Sequence, residues 1–134
     1  MKQFFLIKQQ LPSLNTFISA MNKNRYIGNN FKRDVEEAIG WAIKQAKTKG
    51  DLTTWNEPCE IYIEWHEKTK RRDVDNIQSA TKFVLDALVK NGVLQDDGQK
   101  WVKQIYHKVV QDTADYVVVY LYKAGSLDII EMGE

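Results

Sequence analysis

The chain has 134 residues, of which 43% are hydrophobic, with a formal net charge of +1 and a single cysteine. This length suits one domain with its own core, and the balanced composition excludes a disordered or low-complexity chain. Cys59 alone cannot form an internal disulfide, and no apolar run is long enough to cross a membrane. The apolar stretch at residues 4–7 is ended by Lys8, which is too early for a signal peptide. We therefore expect one cytoplasmic domain over residues 1–134.

The chain begins with the pattern of a short strand followed by a short helix. Residues 2–8 are rich in apolar and aromatic side chains, and Pro12 ends this stretch because proline has no N–H to donate to a strand ladder. Ser13 then provides a typical N-cap side chain, which predicts a helix over residues 14–21.

A long helix is predicted after a loop over residues 22–30. Apolar residues recur at helical spacing from Phe31 to Ala46, which gives an amphipathic segment with one buried face. Asn30 is the expected N-cap, and Gly50 is the expected terminator because glycine readily adopts the left-handed conformation. The helix is therefore expected to begin at Phe31.

A strand and a second long helix follow. Apolar and polar residues alternate over residues 59–66, which predicts a strand with one buried face. Helical spacing of apolar residues returns over residues 76–90, and Asn91 with Gly92 supplies the stop. A basic run lies between the strand and the helix, formed by Lys68, Lys70, Arg71 and Arg72.

The last two elements are predicted to be strands over residues 102–111 and 116–122. The polar connection 112–115 suits an antiparallel hairpin between them. The order β-α-α-β-α-β-β, without a repeat or a flexible linker, predicts a single α+β domain with helices covering a mixed sheet. Residues 125–134 are expected to be a flexible tail, although Leu127, Ile129 and Ile130 are also consistent with docking.

Two carboxylates lie between the second predicted strand and the helix that follows it. In an extended segment, Asp73 and Asp75 would project to the same side, about 7 Å apart at their Cα atoms. Such a pair can bind one Mg²⁺ ion together with water and a substrate phosphate. The alternative is that Asp75 is a helix N-cap in a capping box with Gln78, which needs no metal.

Other charged groups downstream also allow two interpretations. Asp96 and Asp97 are close enough to a predicted strand to supply a third metal ligand, or they form an ordinary turn with Gly98. Lys82 can reach back along its helix toward the acidic residues, or it forms an i,i+4 ion pair with Asp86. The basic run can bind phosphates, or it is a solvated loop.

The segment 71–77, Arg-Arg-Asp-Val-Asp-Asn-Ile, resembles the (R)-D-L/P-D-N-L motif of the RusA family of Holliday junction resolvases. Residues 82–88 and 92–97 resemble the family's K-x-x-x-D-A-L and G-x-(x)-x-D-D segments. With weaker matches at residues 11–12 and 24–26, the resemblance covers most of the chain and is to the type carried by phages and prophages of Gram-positive bacteria.

The resemblance implies a set of site residues. Asp73, Asp75 and Asp97 match the family's metal-binding catalytic carboxylates, with Mg²⁺ as the cofactor, and Lys82 matches its catalytic lysine when the downstream helix is aligned. When the two carboxylates are aligned instead, Ser79 takes the position of the lysine, four residues after Asp75. One inserted helical turn would account for this difference and preserve the helix face.

The function implied by the resemblance is that of a Mg²⁺-dependent crossover junction endodeoxyribonuclease. Such an enzyme resolves Holliday junctions or other branched DNA by paired phosphodiester hydrolysis. A homodimer would place two equivalent sites against the two-fold symmetry of a four-way junction. The basic residues Lys68, Lys70, Arg71 and Arg72 are expected to contact DNA phosphates. The alternative is a branched-DNA-binding module that does not cleave.

Overall fold

The computed structural model describes residues 2–126, so most of the expected tail 125–134 lies outside the described residues. Its elements in chain order are β1 (Lys2–Ile7), α1 (Leu14–Lys23), α2 (Arg25–Lys49), β2 (Cys59–Glu67), α3 (Val74–Gln78), α4 (Thr81–Lys90), β3 (Val102–Gln111) and β4 (Tyr116–Lys123). Within the described part of the chain, no helix combines the length and apolar character that a membrane crossing requires.

The four strands form one mixed sheet in the order β1-β4-β2-β3. Strand β2 is parallel to β3 and antiparallel to β4, and β4 is antiparallel to β1. The helices pack their apolar faces on this sheet, with Trp65, Phe5 and Phe83 among the largest fully buried side chains. The prediction of an α+β fold with a mixed sheet is confirmed.

The predicted hairpin between the last two strands is wrong, because β2 lies between β3 and β4. Gln111 at the end of β3 pairs with Glu67, and Tyr116 at the start of β4 pairs with His66. The connection 112–115 therefore passes over the end of β2, where the Asp112 N–H donates to the Glu67 carbonyl at 3.0 Å. Two strand spacings amount to about 10 Å, which a connection of this length can span.

Strand β2 is buried on both faces, which corrects the prediction of one buried face. Its odd-numbered residues face the helices, and the alternate residues Glu60, Tyr62 and His66 are also at most 9% exposed. The ring of Tyr62 stacks on Tyr120 at 5.6 Å, and that of His66 stacks on Tyr116 at 4.1 Å. A central strand gains this cover from its neighbours on both sides, which alternation within one strand cannot reveal.

The predicted loop over residues 22–30 is also wrong, because only Asn24 separates α1 from α2. Its side-chain oxygen accepts hydrogen bonds from the N–H of Tyr26 at 2.7 Å and of Ile27 at 3.4 Å. A Cβ on Gly28 would lie 2.8 Å from the Met21 Cα, so glycine allows the two helices to approach closely. This packing outweighs the low helix propensity of the asparagines in the segment.

Replacement of Asn24 by alanine should lower the free energy of unfolding by about 1 kcal/mol, because the N-cap of α2 is lost. The matched variant is Asn30→Ala, since Asn30 was the cap expected from the sequence but lies inside α2. Urea unfolding should show a smaller loss for Asn30→Ala than for Asn24→Ala. The reverse order would place the start of the long helix at residue 30.

The predicted helix 76–90 is divided into α3 and α4 by a turn at Ser79 and Ala80. The Ser79 hydroxyl donates to the Asn76 carbonyl at 2.6 Å and accepts from the Leu14 N–H at 3.0 Å. At the other end, Asn91 is the C-cap and Gly92 has a φ of 71°, as predicted. The turn thus ties α3 to the first residue of α1.

Candidate active site

The start of α3 carries the two carboxylates of the Asp-Val-Asp segment. Asp73 is the N-cap with an extended backbone (φ −70°, ψ 153°), and Asp75 lies in the first helical turn. Both side chains are exposed, and neither carboxylate makes a hydrogen bond or an ion pair within the described part of the chain. The predicted extended geometry therefore ends at Asp73, and Asp75 is not the N-cap.

The sheet topology places this segment at a defined edge. The parallel strands β2 and β3 have their carboxyl ends at the same edge, and the connection 68–73 leads from β2 into α3, which contacts β3. In open sheets with parallel strands, such an edge is where ligands usually bind. Two accessible carboxylates with no other partner are therefore available there for a cation.

Asp96 and Asp97 lie in the turn before β3, as one of the two interpretations predicted. The Asp96 carboxylate accepts a hydrogen bond from the Asp97 N–H at 2.9 Å, and the Gly98 carbonyl accepts from the N–H groups of Trp101 and Val102, each at 3.0 Å. The Asp97 side chain is half-buried and is not used in this turn. The turn thus holds Asp97 in place but leaves its carboxylate free of hydrogen bonds within residues 2–126.

Lys82 is on the exposed side of α4 and forms the predicted i,i+4 ion pair with Asp86, with 3.2 Å between the ammonium nitrogen and the carboxylate. The Asp86 carboxylate raises the pKa of Lys82, and the charge of Asp97 adds a smaller effect in the same direction. The three side chains line one open groove together with Asp96. Lys82 therefore stays protonated and faces the turn that carries Asp97.

Two residues, Ser79 and Lys82, are candidates for the position of the lysine in the RusA-like motif, and their environments differ. The Ser79 hydroxyl is engaged with the backbones of α1 and α3, as described above. The Lys82 side chain is 59% exposed, and its ammonium group lies in the field of two carboxylates. Of these two residues, Lys82 is the one that can offer a cationic group to a bound phosphate.

The basic run divides into two groups. The side chains of Lys68, Lys70 and Arg71 are exposed, and none of them forms an ion pair within the described residues. Arg72 instead turns inward: its guanidinium donates to both carboxylate oxygens of Glu67, at 3.1 and 2.9 Å, and to the Leu11 carbonyl at 2.9 Å. Arg72 is thus tied to protein groups, unlike its three neighbours.

Mg²⁺ requires oxygen ligands, which in this chain would be carboxylates. In the part of the chain that the structure describes, no three His, Cys, Asp or Glu side chains are gathered closely enough to hold a metal ion. The predicted trio with Asp97 therefore stays a prediction. Mg²⁺ commonly takes one or two carboxylates and completes its shell with water and phosphate oxygens, and Asp73 and Asp75 are exposed carboxylates of the kind that it prefers.

A hydrogen-bonded cluster that the sequence did not predict lies at the carboxyl end of β2. His66 lies between two carboxylates, with Nδ1 2.8 Å from Asp112 and Nε2 3.0 Å from Glu64. The Asp112 carboxylate also accepts from the Thr113 N–H at 2.6 Å and from the Tyr116 hydroxyl at 2.9 Å. A period-2 pattern gave no signal for this cluster because its members come from β2, β4 and the connection between β3 and β4.

The pKa of Asp112 is lowered from 3.8 to about 2, mainly by the Thr113 N–H and further by Tyr116 and His66. Because the pKa of Asp112 is lower in the folded chain, the unfolded chain binds a proton at this carboxylate at a higher pH than the folded chain does. The contribution of Asp112 to the free energy of unfolding is therefore fully present above pH 4 and is lost as the pH falls toward 2. Urea midpoints of the unmutated protein and of Asp112→Asn should converge across that window. Tyr116→Phe, which removes one donor, should behave in between; parallel pH profiles for all three would contradict the assignment.

Comparison with known families shows a match over most of the chain. The model of the family described as endodeoxyribonuclease RusA matches residues 9–121, from the loop before α1 to the middle of β4. The matched region contains Asp73, Asp75, Lys82 and Asp97. The search of curated proteins found no match to the chain.

Proposed function

Because the chain belongs to the RusA family of endodeoxyribonucleases, we propose that it is a Mg²⁺-dependent nuclease that resolves Holliday junctions or other branched DNA by paired cuts. The observation that carries the proposal is the match over residues 9–121, since it runs from α1 through β3 into β4 and includes the exposed carboxylates at the start of α3. Those carboxylates have no structural partner within the described residues, which favours a role toward a ligand.

We infer that Asp73 and Asp75 would hold the cation and that Asp97 would complete the site when DNA is bound. When present, Mg²⁺ would stabilise negative charge on the scissile phosphate and supply an activated water. The free carboxylates at the start of α3 supply the hard oxygen ligands that this ion prefers. The half-buried position of Asp97 in its turn keeps that carboxylate on the side of α4 where Lys82 lies.

Lys82 is proposed to offset charge on an oxygen of the phosphate undergoing hydrolysis. A lysine is protonated at neutral pH, and Asp86 raises the pKa of Lys82 further, so its ammonium acts as a positive charge and hydrogen-bond donor. Asp86 also restrains the direction of the lysine side chain through the 3.2 Å ion pair. A positioned positive charge of this kind stabilises the transition state more than the ground state.

Lys68, Lys70 and Arg71 are proposed to contact phosphates on either side of the cut. Their side chains are exposed on the connection between β2 and α3, directly before Asp73. Contacts to phosphates orient the strand and carry no sequence information by themselves. Arg72 differs from these three residues because its guanidinium is bound to Glu67 and to the Leu11 carbonyl.

A homodimer in the cytoplasm is part of the proposal. Two copies related by a two-fold axis would present two equivalent sites to opposed strands of a four-way junction. Light scattering on a size-exclusion column should give twice the 15.6 kDa mass of the chain. A monomer in the presence of a junction would remove paired cleavage from the proposal and leave a nuclease.

The experiment that tests the function uses a synthetic four-way junction with Mg²⁺ omitted and then restored, and linear duplex as a competitor. We expect cuts only with the metal, at opposed positions, and little effect of the linear duplex. Equal cutting of the linear duplex would refute junction specificity. Binding without any cut under these conditions would mean that the chain is a branched-DNA-binding module.

Replacement of Lys82 by glutamine should lower kcat by about 10²-fold, because one positive charge at the phosphate is lost. Lys44→Gln is the matched control, since Lys44 is also an exposed helical lysine, on α2, and does not line the groove that contains Lys82. Junction cleavage under single-turnover conditions measures both variants. Equal rates for the two would exclude Lys82 from the reaction.

A further inference from the structure

The end of β2 contains a buried ion pair. Glu67 is 4% exposed, and its two carboxylate oxygens accept from Nε and Nη2 of Arg72 at 3.1 and 2.9 Å. The third guanidinium nitrogen, Nη1, donates to the Leu11 carbonyl at 2.9 Å, and the Gln10 amide donates to the Glu67 carboxylate at 3.2 Å. The pair therefore joins three separate parts of the chain: the end of β2, the residue before Asp73, and the segment before α1.

This arrangement closes the connection 68–73 at its base. Glu67 lies directly before this connection and Arg72 lies near its end. The residues between them, 68–71, are exposed. Two further hydrogen bonds fix the first residue of the connection: the Lys68 N–H donates to Asp115 at 2.7 Å, and the Lys68 carbonyl accepts from Gln111 at 2.8 Å. The basic side chains are thus presented from a connection whose two ends are held.

The segment 10–15 contacts the Asp-Val-Asp region on its other side as well. Past Asp75, the Leu14 N–H donates to the Ser79 hydroxyl at 3.0 Å, and the Asn15 amide donates to Asn76 at 3.3 Å. Since Arg72 is bound to the Leu11 carbonyl, both flanks of residues 73–78 are attached to the same segment. The carboxylates themselves have no hydrogen bonds within the described residues, so these flanking contacts are what orient them.

Resting on the proposed function, we propose that Glu67 and Arg72 are positioning residues, which set the place of Asp73 and Asp75 without touching DNA. A bidentate pair with arginine fixes both distance and plane, which a lysine in the same place would not do. The buried carboxylate of Glu67 also requires its partner, because an unpaired buried charge is strongly disfavoured. The guanidinium is therefore held by protein groups and is withheld from phosphates.

Hydrogen exchange of the full chain tests this proposal without depending on nuclease activity. In Glu67→Gln, exchange in the segment 73–80 should accelerate by at least about tenfold, while exchange in β4 changes less than twofold. Arg72→Lys keeps the charge but not the bidentate geometry, and it should give the same local effect if Glu67→Gln does not fold. Glu57→Gln is the matched control, because its pair with Lys123 is exposed and lies before the other end of β2.

Cleavage and binding measurements separate positioning from DNA contact. A positioning role predicts that both variants lose about 10- to 100-fold in kcat, with KM and the salt dependence of junction binding unchanged. A phosphate contact by Arg72 would instead lower the slope of log Kd against log salt by about one in Arg72→Gln. Unchanged exchange in residues 73–80, a uniform change over the whole chain, or that loss of slope would overturn the proposal. If the unmutated protein cuts no DNA, the proposed function fails. The exchange measurement still decides whether Glu67 and Arg72 position the segment 73–80.

Discussion

Asp75→Asn should lower junction cleavage by about 10²- to 10³-fold, which corresponds to about 3–4 kcal/mol of lost transition-state stabilisation. The substitution keeps the shape of the side chain and removes one anionic oxygen ligand from the start of α3. Because Asp75 is exposed and has no partner within the described residues, the free energy of unfolding should change by less than about 1 kcal/mol. Rates at saturating junction measure the first quantity, and urea unfolding measures the second.

Asp34→Asn is the matched control, since Asp34 is exposed on α2 and forms no ion pair within the described residues. Its cleavage rate should equal that of the unmutated protein. Junction affinity of Asp75→Asn in the absence of metal should be kept or slightly improved, because a negative charge near the phosphates is removed. A variant that loses affinity instead of turnover would place Asp75 in DNA binding.

Phe83→Ala should lower the free energy of unfolding by about 3–5 kcal/mol, the usual cost of emptying a buried phenylalanine position. Phe83 is 1% exposed on α4, and its ring meets Phe17 of α1 edge-on at 5.9 Å. Loss of this ring leaves a cavity between the two helices and also removes an aromatic pair. Urea unfolding with a constant m-value gives the difference.

Two variants calibrate this effect. Phe83→Leu retains most of the apolar volume and should lose clearly less than Phe83→Ala. Trp41→Ala removes a larger aromatic group that is 66% exposed on α2, and its effect should stay within about 0.5 kcal/mol. Similar losses for Trp41→Ala and Phe83→Ala would mean that α4 does not pack on α1 as described.

Some helix ends are predictable from the sequence because they depend on neighbouring residues. Ser13 and Gly50 were recognised as helix ends from side-chain chemistry and backbone freedom alone, and the structure confirms both. The pairing of the strands was not predictable in this way. Insertion of β2 between β3 and β4 depends on contacts between residues far apart in sequence, such as His66 with Tyr116, which the polar connection 112–115 does not reveal.

The sequence shows which residue types the candidate site contains, but it does not show the contacts that support them. Two carboxylates separated by one residue are a candidate cation site, and the structure leaves Asp73 and Asp75 accessible. The basic run appears uniform in the sequence, yet the Arg72 guanidinium is bound to a buried glutamate, whereas the side chains of Lys68 and Lys70 are exposed. That partner, Glu67, is visible only once β2 is placed in the centre of the sheet.

The most direct test of the proposed site is a titration of the protein with Mn²⁺ as a probe for Mg²⁺, in which electron paramagnetic resonance measures the free ion. Unmutated protein should bind Mn²⁺, the double variant Asp73→Asn with Asp75→Asn should lose that binding, and Asp34→Asn should retain it. Mn²⁺ binding that is unchanged in the double variant would contradict a metal site at the start of α3.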